Sequence, residues 1–194
     1  MMHIGLTYKW LIFNIFVAGN FIAAYYYELL NRYISDKTYF TQGIMLLAAI
    51  IVLLSGRSAW KLKSLRKSIP ERKAKYAHSL MTGRSDDYKD VLSSVLEKEL
   101  SIFRIAGPIL VTLGLLGTIT GVIIGFSGLV GADFVNNADE SNKVIQTLMF
   151  GLNTAFTTTY WGMIGMLWNL VNLTMLKSEA SAIFSEIVDP RNTQ

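Results

Sequence analysis

The side chains best placed to do chemistry in this sequence are hydroxyls and amides set among apolar residues. Thr118 and Thr120 lie in one run, and Asn153, Thr154, Thr157, Thr158 and Thr159 in another. A hydroxyl both donates and accepts hydrogen bonds, so such a cluster can serve a carboxylate and its protonated form alike. A single threonine says little, because it can bond the carbonyl four residues back on its own helix. Four threonines within one and a half helical turns make a polar surface that calls for a bundle interior or a hydrated path.

Composition excludes other chemistries. The chain has no cysteine, hence no disulfide, thiol nucleophile or cysteine-ligated metal. His3 and His78 stand in separate polar segments without the close spacing of a metal pair. The glycines of residues 107–131 have no basic or acidic partner of the kind that phosphate and dinucleotide loops carry. An enzyme is not expected, nor a cofactor beyond a transported proton or sodium ion.

The elements that hold these hydroxyls are spans of a membrane. Of 194 residues, 18 are Lys or Arg and 14 Asp or Glu; charged residues make up 16% and hydrophobic ones 52%, whereas soluble domains carry about 25% charge. Residues 11–27, 40–56, 105–131 and 144–176 contain no charge at all, and runs of about 17 to 25 apolar residues match a hydrocarbon core. The first run is followed by bulky Tyr25, Tyr26, Tyr27 and Glu28 rather than a small-residue cleavage site, so it is expected to remain as a span. The predicted fold is all-α, with four transmembrane helices. Residues 1–56 form a peripheral hairpin, 57–104 a basic cytoplasmic helical segment, 105–176 a second hairpin and 177–194 a cytoplasmic helix and tail. At about 1.5 Å per residue the last two uncharged runs alone reach about 40 and 50 Å, so their helices should protrude from the bilayer.

Residues 57–104 hold 12 Lys and Arg, eight of them before residue 76 against the single acid Glu71. Glu28, Arg32, Asp36 and Lys37 cancel in one of the other connections, and Asp133, Asp139, Glu140 and Lys143 leave the second acidic. The positive-inside rule then puts both termini in the cytoplasm, with Trp10, Trp60 and the tyrosine run near span ends as interfacial aromatics. The basic run reads as a topology signal and a contact for anionic lipids, with no nucleic-acid role. Asp86 and Asp87 mark the start of a helix whose Tyr88, Val91, Leu92, Val95, Leu96, Leu100 and Phe103 recur at three- and four-residue steps. Leu176, Ala180, Ile183, Phe184 and Ile187 form a similar stripe near the C-terminus.

The first two spans are rich in large aliphatic and aromatic residues, which suits lipid contact. The last two carry small residues in register: Gly107, Val111, Gly114, Thr118, Gly121, Gly125, Gly128 and Ala132 in one; Gly151, Thr154, Thr158, Gly162, Gly165, Asn169 and Asn172 in the other. Gly114, Gly117, Gly121, Gly125, Gly151, Gly162 and Gly165 are thus candidates for close packing or for facing a partner helix. No span contains an ionisable group of the kind that ion carriers use, so for proton conduction another chain must supply the carboxylate.

The run GPILVTLGLLGTITGVIIGF at residues 107–126, with its LGLLGT core at 113–118, resembles the third span of the MotA/TolQ/ExbB proton-channel family. The run GLNTAFTTTYWGM at 151–163 resembles that family's last span. The family's usual proline there is replaced by Gly162-Met163-Ile164-Gly165. The resemblance implies a homopentamer in a bacterial inner membrane, enclosing two copies of a single-span partner of the MotB/TolR/ExbD type whose membrane aspartate takes and releases the ion. It also implies pore-lining roles for Thr118, Thr154 and, one turn further, Thr158. Ion flow would then drive rotation or force on the partner. A second reading is a non-conducting four-span scaffold or membrane-perturbing oligomer that uses its glycines for packing between copies; a small secondary transporter is a third, weakened by the missing charge.

Overall fold

The computed structural model describes residues 5–26, 39–129 and 138–189. Tyr27, Glu28, Arg32, Asp36, Lys37, Ala132, Asp133 and His3, along with the tail from residue 190, lie outside them. Among the described residues the chain is helical and has no strand. The helices are α1 (Leu6–Tyr26), α2 (Phe40–Lys67), α3 (Ile69–Met81), α4 (Ser85–Ser127) and α5 (Ala138–Val188).

At about 1.5 Å per residue, the 43 residues of α4 and the 51 of α5 make rods of about 65 and 77 Å, both longer than a hydrocarbon core. The expected start of α4 is met, with Asp86 and Asp87 in its first turn, where carboxylates complement the helix dipole. Helices α1, α2 and α4 are long and apolar enough to cross a membrane. The fourth expected span falls within α5, whose uncharged run carries six threonines as well as Gln146, Asn153, Asn169 and Asn172. That composition lowers its hydropathy and suits a helix surrounded by protein rather than lipid.

The break between α2 and α3 has a local cause. Pro70 follows Ile69 at the head of α3, and a proline both lacks the N–H of a continuing helix and disfavours helical geometry just before it. The turn after α3 closes on Gly83, whose φ of 70° is a left-handed value that glycine adopts without strain. Arg84 N–H then reaches back to Ser79 O at 2.9 Å, capping the helix end.

Two compact units emerge from the chain: Met1–Ala18 with Ile51–Ile105 and Asn169–Gln194, and Gly19–Ile50 with Ala106–Trp168. In the first, Leu92, Leu96, Leu100 and Phe103 of α4 are buried, as are Ala59 and Leu62 of α2, Ile69 and Tyr76 of α3, and Leu176, Ala180, Ile183 and Ile187 of α5. The expected stripe on α4 is thus narrower than its sequence pattern. Val91 and Val95 are exposed, because each lies about 100° around the helix from the buried leucine that follows it.

Polar side chains tie this unit together where its helices are apolar. Asn14 Nδ2 donates to Trp10 O at 2.8 Å and to Asn172 Oδ1 at 2.9 Å, and both asparagines are buried. Trp10 Nε1 donates to Ser55 Oγ at 2.9 Å, and its ring lies so close to Gly56 that a Cβ there would come within 2.7 Å of it. Trp10 therefore acts as a wedge between α1 and α2, not solely as an interfacial aromatic. Asn169 Nδ2 donates to Phe103 O at 2.7 Å, beside the Arg104 carbonyl that Pro108, inside α4, cannot serve with an N–H. Ion pairs Lys61–Glu99 and Arg66–Glu179 lie at the partly exposed periphery and add little. Hydrogen bonding to Lys75, then that cation's charge, holds the exposed Glu71 carboxyl below its ordinary range. Hydrogen bonding to Asp86 holds Lys89 above its own.

Replacing Asn172 by leucine removes the acceptor that Asn14 uses across the helix contact, which should cost roughly 1–2 kcal/mol. The thermal midpoint of the purified protein in detergent is expected to drop for Asn172→Leu and to recover in part for the Asn14→Leu/Asn172→Leu pair, since two apolar partners leave no unpaired amide. A double variant less stable than the single one would refute this account of the pair.

Candidate functional site

The second unit is organised by a contact between α4 and α5 so close that backbone meets backbone. A Cβ on Gly121 would come within 2.5 Å of Gly151 O and 2.6 Å of Ala155 N, and one on Gly151 would overlap Gly121 O. A Cβ on Gly162 would come within 2.8 Å of Leu110 O and 3.2 Å of Gly114 Cα, and one on Gly114 within 3.0 Å of Thr158 O. Gly117 receives the Thr158 side chain, a Cβ on Gly125 would lie 3.4 Å from Leu148 O, and one on Gly165 would lie 3.2 Å from the Leu110 side chain and 3.7 Å from Ala48 of α2. All seven glycines singled out from the sequence thus pack inside the chain. Without a hydrophobic drive between helices in lipid, this close approach is what dispersion and interhelical hydrogen bonding require.

The threonines divide around this contact. Thr118 Oγ1 is hydrogen-bonded with Thr159 Oγ1 across the two helices, and lies 3.1 Å from Gly114 O and 3.2 Å from Ala155 O. Both residues are partly exposed. Thr154 and Thr158 have no exposed surface, and the Thr158 hydroxyl is turned back to Thr154 O at 2.9 Å and Ala155 O at 3.1 Å.

The aromatic residues fix which side of α5 is covered. Phe21 of α1 packs on Trp161 and Trp168, with ring centroids 5.5 and 5.7 Å apart. At about 100° per residue, Thr154 lies about 20° and Thr158 about 60° from Trp161, whereas Thr159 lies about 200° from Trp161 and about 180° from Trp168. Thr154 and Thr158 therefore belong to the covered side, and Thr118 and Thr159 meet on the side turned away from Phe21. A shallow groove lined by Asn153, Phe156, Thr157 and Tyr160 runs along α5 as well.

This antiparallel pair of long helices, joined by glycines and carrying an uncharged hydroxyl pair, lies within a part of the chain that a family model matches. The MotA/TolQ/ExbB proton channel family model matches residues 62–188. The chain belongs to this family. No curated protein and no solved structure matches it. The matched region contains all of α3, α4 and α5 and excludes α1 and most of α2. The family consists of proton channels rather than enzymes, and its members generally work with a single-span partner.

Within this family frame, Thr159 is the residue that the spacing of small residues does not single out. Of the stripe, Gly151, Thr158, Gly162 and Gly165 pack against α4, and Thr154 is buried beside them. The available signal was one residue away: Thr159, about 100° from the stripe, mirrors Thr118, which follows Gly117 by one residue in the same manner.

Because the atoms opposite Gly121 are backbone, Gly121→Leu should separate the two helices and remove most monodisperse protein in size-exclusion chromatography. Gly121→Ala should lower the thermal midpoint, with a cost of about 1–3 kcal/mol. Gly43→Ala, where nothing lies within 4 Å of the added carbon, should stay within about 0.5 kcal/mol. Equal tolerance of the two alanine variants would contradict the contact.

Proposed function

We propose that this chain is the channel subunit of an ion-driven motor in a bacterial inner membrane. Five copies surround two copies of a single-span partner, and a membrane aspartate of that partner carries the ion, most simply a proton. In this reading four spans leave both termini on one side of the membrane, and the basic segment, in contact with anionic lipid, makes that side the cytoplasm. The observation that supports this reading is the hydroxyl pair Thr118–Thr159 on the side of α4 and α5 turned away from Phe21.

An uncharged hydroxyl pair suits a carboxylate that changes its protonation state. Each hydroxyl can donate to the anion or accept from the acid, so contact survives the change while its strength does not. Protonation removes a charge from a low-dielectric site and alters which subunit the partner helix prefers. Repeated around a ring, that preference turns ion flow into stepwise rotation or pull. Thr118 and Thr159 take the ion-path role in this proposal, and Thr154 and Thr158 set the backbone positions behind them. The non-conducting scaffold requires glycine stripes between copies, whereas here Gly121, Gly151 and Gly162 are engaged within one chain.

The test is co-purification from native membranes in mild detergent, followed by intact mass measurement and ion flux in proteoliposomes holding the whole complex. The expected particle has five copies of this chain and two of a single-span protein with a membrane aspartate. Valine keeps the volume of threonine and removes its hydroxyl. Thr118→Val/Thr159→Val should therefore retain assembly and reduce flux about tenfold, the equivalent of about one hydrogen bond lost from the conducting state. Unchanged flux would remove the hydroxyl pair from the path, and a homo-oligomer without a partner after crosslinking would favour the scaffold.

A further inference from the structure

One face of α2 changes character where its uncharged run ends. Leu53, Arg57, Trp60 and Ser64 recur at steps of four, three and four, which aligns them along one side of the helix. Leu53 and Trp60 are each 73% exposed, and Arg57 and Ser64 are exposed as well. Gly56, Arg57, Trp60, Lys61 and Ser64 together line an open groove of about 490 Å³. Arg57 is the first charge after residues 40–56, so the groove begins where hydrocarbon gives way to lipid headgroups.

The donors in this groove match a phosphodiester. A guanidinium binds phosphate oxygens with two parallel N–H groups. The Lys61 ammonium adds a second positive charge, the Ser64 hydroxyl a further donor, and the Trp60 indole an aromatic body with one N–H that settles at the headgroup level. The Glu99 carboxylate accepts from Lys61 at 2.8 Å. Two cations against one anion leave the groove with a net positive charge. The acid that a choline or ethanolamine head would seek is already taken, so the charge balance favours a headgroup with net negative charge. Below it, exposed Leu53 continues the same face with a surface for an acyl chain.

We propose that the groove formed by Gly56, Arg57, Trp60, Lys61 and Ser64 is a binding site for one anionic phospholipid, its phosphodiester held between Arg57 and Lys61. The site is independent of ion conduction: it requires only that α2 cross the membrane. It also differs from a general attraction of the basic segment for a charged surface, since it assigns one lipid to one chain and one arginine to its phosphate.

The measurement is native mass spectrometry of the full-length assembly in detergent, titrated with phosphatidylglycerol or with phosphatidylcholine of the same acyl chains. Phosphatidylglycerol should saturate at one per chain, with phosphatidylcholine at least about tenfold weaker. Arg57→Gln should weaken phosphatidylglycerol about tenfold, as expected for loss of one charge-assisted pair. Arg57→Lys, which keeps the charge and loses the fork, should fall between, and remains readable if the glutamine variant does not assemble. Lys73→Gln removes an equal charge elsewhere in the basic segment and should stay within about twofold of the original. Equal losses for Arg57→Gln and Lys73→Gln, or equal binding of the two lipids, would overturn the site. Because the chain has no cysteine, Ser64→Cys supplies a unique thiol. Its quantitative oxidation to a dimer in native membranes would mean that a second copy covers the groove, and would overturn the proposal too.

Discussion

The approach of Gly121 to Gly151 governs what the neighbouring side chains of the second unit can do. With backbone atoms inside the space that a single Cβ would need, α4 and α5 have little freedom to slide or rotate against one another, because either motion drives a carbonyl into an α-carbon. Glycine in a helix costs about 1 kcal/mol relative to alanine, and a chain that places five of them between residues 114 and 151 in contact accepts that cost several times over. What it gains is register. Thr118 and Thr159 are far apart in sequence and come from different helices, yet they meet hydroxyl to hydroxyl because the glycines on either side leave one way for the helices to fit.

The other unit reaches definition by a different route. Its helices meet through leucine, isoleucine and phenylalanine side chains, which pack well in several related arrangements. Here selectivity falls to the amides: Asn14 with Asn172, and Asn169 with the Phe103 carbonyl. A buried amide without its partner costs more than a lost apolar contact, so misregistered packings are penalised even where their buried area is similar. Trp10 adds a steric device, its ring seated against Gly56 of α2, which has no side chain to oppose it.

Much of this was legible in the sequence, and for identifiable reasons. Charge-free runs point to spans because charge is costly in hydrocarbon, and three of the four runs lie in helices long and apolar enough to cross a membrane; Asp86 with Asp87 mark a helix start because carboxylates suit it electrostatically. The glycine stripes announced a close helix pair. What they could not announce was the direction in which that pair faces. A stripe at three- and four-residue spacing identifies a face, and packing and path compete for the same signal. Thr154 and Thr158 share the stripe and are buried by it; Thr159 sits outside it. The information that separates them is the position of Phe21 against Trp161 and Trp168, a contact between residues about 140 positions apart that no local periodicity encodes. Val91 and Val95 taught the same lesson on α4, where apolar identity exceeded the width of the face actually covered.

The absence of charge from residues 105–131 and 144–176 fits a division of labour under the proposed assembly. An aspartate at the bilayer centre costs about 2.5–3.5 kcal/mol even on insertion scales, whereas a threonine satisfies its hydroxyl on the carbonyl one turn back, as Thr158 does here. A ring of identical subunits multiplies whatever each of them carries, so five buried carboxylates would impose that cost five times and repel one another as well. Hydroxyls can be repeated at almost no cost, and each presents the same donor and acceptor to a visiting acid. Keeping the ionisable group on a separate, less numerous helix leaves the ring with near-equivalent stations of low intrinsic energy. Steps between such stations can then be biased by a single protonation, because no station is deep enough to hold the partner against it.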